Sequence, residues 1–256
     1  MFKDIYKNKK VLVTGHTGFK GSWLTSWLLR LGAKVVGISK DIPTSPSLFV
    51  ALNLADKVND IRGNVKDLQF LSSKINEIEP DIIFHLAAQP IVKEGILNPT
   101  ESFLSNSIGT MNILESIRTG FRPNAVVLIT SDKAYRNNEW EWGYRESDEL
   151  GGDDPYSASK ASADLVAMSY FKTHNFPVII TRCSNNYGPY QYPEKLIPLV
   201  INNITSNKKI PVYGNGKQIR DWIYVKDHCF GIQKALEQGH LGQIYNFGGY
   251  SELTNL

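Results

Sequence analysis

The sequence predicts an α/β fold: a Rossmann-type doubly wound parallel sheet with a smaller C-terminal substrate-binding lobe. Three observations predict it. β-Branched runs alternate with segments that are apolar at helical spacing, a glycine-rich turn joins the first run to the first helix, and the elements become shorter after Pro193.

Val11-Leu12-Val13 is a short β-branched strand ending in Thr14-Gly15, and Trp23, Leu24, Trp27, Leu28 and Leu31 then fall on one helical face. Gly32 ends that helix, Lys34 to Ile38 reads as a second strand, and a loop with Pro43 and Pro46 follows. This completes a βαβ unit. Leu68, Leu71, Ile75 and Ile78 mark another helix, Ile82-Ile83-Phe84 a buried strand, Phe103, Ile108, Met111, Leu114 and Ile117 a further helix, and Ala125 to Ile129 an apolar strand. Right-handed crossovers place a helix between successive strands, so the strands are expected to be parallel and covered on both faces. Past Pro193 the expectation is a helix from Leu196 to Ile204, a short strand near Ile210 to Tyr213, the turn Gly214-Asn215-Gly216 and a segment Trp222-Ile223-Tyr224. Residues 1–182 are assigned to the Rossmann domain and 183–256 to the smaller lobe, with returning strands of the first domain allowed within it. The cleft between them is the expected ligand site.

Composition narrows the partners. The 256 residues, 42% hydrophobic and 21% charged, describe a folding globular chain rather than a disordered one. Net charge is +3 with Lys and Arg dispersed, which argues against a nucleic-acid partner. No apolar stretch is long enough to span a bilayer, and Met1-Phe2-Lys3-Asp4 leads into a charged segment with no signal-peptide core, so a cytoplasmic protein is expected. Cys183 and Cys229 are read as buried thiols. The histidines at 16, 85, 174, 228 and 240 show no metal-ligand spacing, and no metal is expected.

Gly15, Gly18 and Gly21 are spaced three apart between a strand and a helix, where glycine permits positive φ and lets a pyrophosphate approach the helix N-terminus. A bare glycine pattern is weak, but the strand-turn-helix context makes it a dinucleotide site. After the second strand, Asp41 suits an adenosine ribose, while Ser39 and Lys40 suit a 2′-phosphate. NAD is favoured and NADP left open.

Tyr156 and Lys160 stand four apart on a helix that begins after Pro155, so they share a face. A nearby ammonium favours phenolate and is expected to lower the tyrosine pKa toward that of a useful base. Such pairs are common on solvated helices. What distinguishes this one is its position after the strand ending in Thr130-Ser131-Asp132-Lys133, at the sheet edge where open α/β sheets bind ligands.

The glycine turn, His85-Leu86-Ala87-Ala88-Gln89, Asn106 with Gly109-Thr110, and the Tyr156/Lys160 pair resemble the extended short-chain dehydrogenase/reductase family. Within it, the N-terminal two thirds is similar to the CDP-glucose 4,6-dehydratases through Gly15-His16-Thr17-Gly18-Phe19-Lys20-Gly21-Ser22-Trp23, Pro46-Ser47-Leu48-Phe49, Thr130-Ser131-Asp132-Lys133 and Glu139-Trp140-Glu141-Trp142-Gly143-Tyr144-Arg145-Glu146. The last third is similar to the dTDP-glucose 4,6-dehydratases through Cys183-Ser184-Asn185-Asn186-Tyr187-Gly188-Pro189-Tyr190, Pro193-Glu194-Lys195-Leu196-Ile197-Pro198 and Gln218-Ile219-Arg220-Asp221-Trp222.

The resemblance implies a nucleotide-sugar 4,6-dehydratase, with a 4-epimerase, a reductase or a non-catalytic nucleotide-binding module as rivals. It implies that Tyr156 takes the sugar 4-hydroxyl proton as hydride leaves C4 for the nicotinamide, that Lys133 takes the C5 proton, and that Asp132 protonates the departing 6-oxygen. Relatives often carry Glu where Lys133 stands, so this lysine would have to be neutral, through burial beside Lys160. Ser131 would bond the 4-hydroxyl. The cofactor would be held by Gly15, Thr17, Gly18, Phe19, Lys20 and Gly21, with Asp41, Asn64, Val65, Leu86, Ala87, Ala88, Asn106, Tyr156 and Lys160. Asn64 replaces the family's usual Asp, and its amide oxygen can still accept from adenine. Gln89, Asn185, Lys195, Leu196 and Arg220 would meet the nucleotide-diphosphate sugar, Pro211 and Tyr213 its base, and Asn246 a ribose or phosphate. The family also implies a homodimer through the Asn106 and Tyr156 helices, with Leu165, Met168, Tyr170 and Phe171 available to it. Relatives continue beyond the point matching Leu256, which implies an incomplete second lobe.

Overall fold

A computed structural model describes residues 5–212 and 214–255. The elements, in order, are β1 (Lys10–Thr14), α1 (Phe19–Arg30), β2 (Lys34–Ser39), α2 (Leu48–Ala51), β3 (Asn59–Arg62), α3 (Leu68–Ile78), β4 (Ile82–His85), α4 (Val92–Leu97), α5 (Pro99–Phe103), α6 (Gly109–Thr119) and β5 (Ala125–Ile129). They continue with α7 (Pro155–His174), β6 (Val178–Cys183), β7 (Asn185–Tyr187), α8 (Leu196–Thr205), β8 (Ile219–Arg220), β9 (Trp222–Tyr224), α9 (Val225–Gln238), β10 (Ile244–Phe247) and β11 (Leu253–Thr254). Met1 to Asp4, Tyr213 and Leu256 lie outside the described residues.

Seven strands form a parallel sheet in the order β10-β6-β5-β4-β1-β2-β3. Alternate residues of one strand enter opposite cores. Leu12, Ile83, Val126 and Leu128 pack with Leu71, Ile75, Ile113 and Ile117 of α3 and α6, while Val11, Val13, Phe84 and Val127 pack with Leu24 and Leu28 of α1 and Ile232 of α9. Burial on both faces explains why these strands read as continuous apolar runs rather than as alternating ones. The order reverses between β1 and β4, and the crevice at their C-terminal ends is the switch point where such sheets take ligands.

Several elements differ from the sequence reading. β3 escaped it because Asn-Asp-Ile-Arg is polar, which an edge strand tolerates. The helix expected across Phe103 to Ile117 is continuous but passes through a π-helical turn at Leu104–Ile108, and Ile210 to Val212 carry no strand. β6, α9 and β10 were also passed over. Residues 225–247 of the segment assigned to the second lobe supply the sheet's outer strand and α9, which packs on α1. What remains outside the sheet are α8 and two small strand pairs, β7 with β9 and β8 with β11.

α7 begins cleanly: Asp154 Oδ1 accepts from Ser157 N at 3.0 Å, and Pro155 occupies the first turn, where its missing N–H is not needed. Asn175, left-handed at φ 51°, ends it. Among the described residues no helix is long and apolar enough to cross a membrane.

Candidate active site

A cleft of about 1000 Å³ runs along the C-terminal ends of β1, β2, β4, β5 and β6 and is closed from the other side by α8 and β8. Gly15 has φ +75°, and a Cβ there would stand 2.8 Å from Ala87 N; one at Gly21 would stand 2.0 Å from Gly15 O. Those two glycines let the turn pack on itself. Gly18 faces open space, meeting only Gly15 O at 3.4 Å. As the N-cap of α1 it offers no side-chain bond, and the first turn holds no acid, so the N–H groups of that turn are free for an anion.

At the outer end of the cleft, Thr17 Oγ1 donates to the Asp41 carbonyl at 2.6 Å. Ser39 is buried with its hydroxyl 2.9 Å from His16 Nδ1, and Lys40 Nζ lies 3.6 Å from the Asp41 carboxylate in solvent. Asn64 and Val65 line the same end, with Asn64 Oδ1 accepting from Lys66 N at 3.1 Å. Phe19, Lys20, Leu86, Ala87 and Ala88 complete this half.

Ser131, Asp132, Tyr156 and Lys160 converge on the inner wall. Ser131 follows β5 and donates to Asp132 Oδ1 at 3.0 Å; it also lies near the Tyr156 hydroxyl, where it favours the phenolate. Burial raises Asp132 above the ordinary carboxylate range. Lys160 is only 7% exposed, and burial, aided by repulsion from Lys20, lowers it to about 8. The Tyr156 phenol departs from the sequence expectation: burial pushes it upward, outweighing the effect of Ser131. Desolvation of the phenolate is the dominant effect at this position.

On the substrate side, Gln89, Asn185, Lys195, Leu196 and Arg220 all line the cleft. Lys195 reaches across it, donating from Nζ to the Pro90 carbonyl at 3.1 Å, and burial lowers its pKa. Four expected residues stand elsewhere. Asn106 lies behind the wall, where its amide bonds Gln89 N at 2.8 Å and Ser159 Oγ at 2.8 Å. Asn246 is engaged by Tyr135 OH at 2.7 Å and the Tyr144 carbonyl at 3.0 Å. Lys133 is half-buried next to Asp132 and is not among the lining residues, nor is Pro211.

The family model described as GDP-mannose 4,6 dehydratase matches residues 12–255. The chain belongs to that family. It is 38% identical over 265 residues to CDP-glucose 4,6-dehydratase of Salmonella typhimurium, covering 98% of this chain and 74% of the relative. It is also 38% identical over 251 residues to dTDP-glucose 4,6-dehydratase of Streptomyces antibioticus, covering 96% and 73%. The dTDP-glucose 4,6-dehydratase of Streptomyces venezuelae, solved with NAD bound, superposes with a TM-score of 0.87 at 35% identity, covering 96% of this chain and 77% of that one.

This GDP-mannose 4,6 dehydratase family member lines its cleft with residues the sequence reading did not single out for it. Glu101 accepts from Lys66 Nζ at 2.7 Å at the outer end, and Gln191, Tyr192, Gln218 and Trp222 enter from the small lobe. Cys183, expected only as a buried thiol, accepts from Lys20 Nζ at 3.2 Å at the cleft wall. Glu101 and Lys66 are 35 residues apart and carried no motif. Their meeting depends on α5 approaching the loop between β3 and α3.

Proposed function

We propose that the chain is an NAD-dependent nucleotide-sugar 4,6-dehydratase, converting an NDP-hexose to its 4-keto-6-deoxy product. One observation carries the reading: Tyr156, Lys160, Ser131 and Asp132 share one wall of a cleft whose far end is a glycine-turn anion site. The turn fits a dinucleotide, because a Cβ at Gly18 would project into open cleft and the free N–H groups of α1 face the same space. When bound there, NAD supplies the hydride acceptor at the sugar C4 and the donor at C6.

Tyr156 takes the proton of the 4-hydroxyl, with Ser131 close by and the Lys160 ammonium, one helical turn along α7, as the cation that would favour phenolate. A 4-ketone makes the C5 proton acidic. Asp132, raised by burial, keeps a proton to deliver to the departing 6-oxygen. Lys133 is the base for C5, a role that needs its side chain to turn from beside Asp132 into the cleft. Arg220 and Lys195 offer cationic donors to the diphosphate, and Asn185 an amide. The first domain of residues 1–182 carries the dinucleotide and 183–256 most of the sugar-nucleotide wall.

We also infer a cytoplasmic homodimer. Leu165 of α7 is 61% exposed, with Ile96 and Leu97 of α4 at 60% and 66%, which supports a helical dimer face. Met168 and Tyr170 instead pack on the chain's own core.

The test is incubation with CDP-glucose, dTDP-glucose, and GDP- and UDP-linked N-acetylglucosamine, followed by mass spectrometry. Loss of one water without net NAD reduction supports dehydration. Unchanged mass with an inverted C4 would replace it by epimerisation.

A further inference from the structure

Tyr156, Lys160 and Asp164 recur every four residues along α7, so the three lie on one face of the helix. Asp164 is fully buried, and its carboxylate accepts from Arg182 Nε at 2.6 Å. Arg182, buried near the end of β6, lies 4.6 Å over the Tyr135 ring and donates to the Glu146 carbonyl at 3.2 Å. Asp164, Arg182, Tyr135 and Glu146 do not line the cleft, and the proposed chemistry uses none of them.

A carboxylate removed this completely from water needs a partner, and Arg182 supplies it. One helical turn earlier on the same buried face stands a second cation, Lys160. The charged and titratable groups facing that lysine are Lys20 from α1, Cys183 from β6, His85 from β4, and Tyr156 and Asp164 on α7 itself. Lys20 and burial both oppose the ammonium; Asp164 favours it.

We propose that Asp164 is a positioning residue of the reaction: held and aimed by Arg182, its carboxylate keeps Lys160 charged beside Tyr156. This rests on the dehydratase reading only in taking Lys160 as the partner of Tyr156. Arg182 joins the device to the loop that follows Asp132, through Tyr135 and Glu146.

The test compares the wild-type chain with Asp164→Asn, Asp164→Glu and the double variant Asp164→Asn/Arg182→Gln. The first readout is the pH profile of dehydration; the second is NMR titration of reductively 13C-methylated lysines, with Lys160→Met assigning the resonance. Asp164→Asn is expected to move the alkaline limb of the profile and the Lys160 titration to lower pH by about one unit, a tenfold change in the ammonium population at a given alkaline pH. Asp164→Glu is expected to restore both. If Asp164→Asn does not fold, the double variant, which leaves no unpaired buried charge, is read by the same criteria. A Lys160 resonance that titrates unchanged, with only the melting temperature lowered, would overturn the proposal. If the wild-type chain dehydrates none of the NDP-hexoses, the dehydratase reading fails, and the lysine titration still decides the role of Asp164.

Discussion

Thr14 Oγ1 and His85 Nδ1 lie 2.7 Å apart across the paired ends of β1 and β4. The Thr14 oxygen also accepts from Ala87 N at 3.2 Å, which ties the histidine ring to the loop that follows β4. Burial, with Lys160 nearby, lowers His85 from 6.5 to about 3. The ring is therefore neutral at the working pH. It joins the ends of β1 and β4 without titrating there.

Stability follows with a definite sign. Between about 3 and 6.5 the unfolded chain binds the His85 proton and the folded chain does not. The contribution is present in full above that window and lost as pH falls through it, at roughly 1.4 kcal/mol per pH unit. Urea midpoints of His85→Asn should fall less steeply with acidification than those of the wild-type chain. His228 and His16, also lowered by burial, leave a residual slope.

Tyr156→Phe removes the proton acceptor and leaves the ring packed. Dehydration should drop by about 10²- to 10⁴-fold while the melting temperature stays near that of the wild type. Appearance of the 4-keto product, followed by mass spectrometry, measures it, and a variant at full rate would remove Tyr156 as the base.

Gly15→Ala places a Cβ against Ala87 N on a backbone at φ +75°. The cost should be at least about 1 kcal/mol in urea unfolding, with weaker NAD binding by tryptophan fluorescence quenching.

Arg182→Met strands the Asp164 carboxylate in the core and should cost about 3–5 kcal/mol. Lys9→Met breaks an ion pair of 3.1 Å to Asp81 that stands in solvent. Its cost should stay within about 1 kcal/mol. Equal costs for the two variants would show that the buried pair is no more than a surface one.

The alternation of apolar strands and helices and the glycine turn were readable in the amino-acid sequence because each is a local pattern. A strand buried on both faces must be apolar, and a turn with positive φ must favour glycine. The Tyr156/Lys160 pair was readable for the same reason: four residues are one helical turn. α9 was missed although Val225, Cys229, Ile232 and Ala235 keep helical spacing and are buried, so its signal was available. β3 gave no such signal, since an edge strand can be polar.

What only the tertiary structure decided is which of these residues share a space. Asn106 and Asn246 are amides whose bonds are satisfied behind the cleft rather than in it, Asp164 meets Arg182 across 18 residues, and Lys66 meets Glu101 across 35. Burial also reversed the expected direction for Tyr156, because desolvation of a charge depends on every atom around it and not on the residue four positions away. Short-range periodicity determined the elements of this protein. Packing between distant segments determined the charges and contacts of its site.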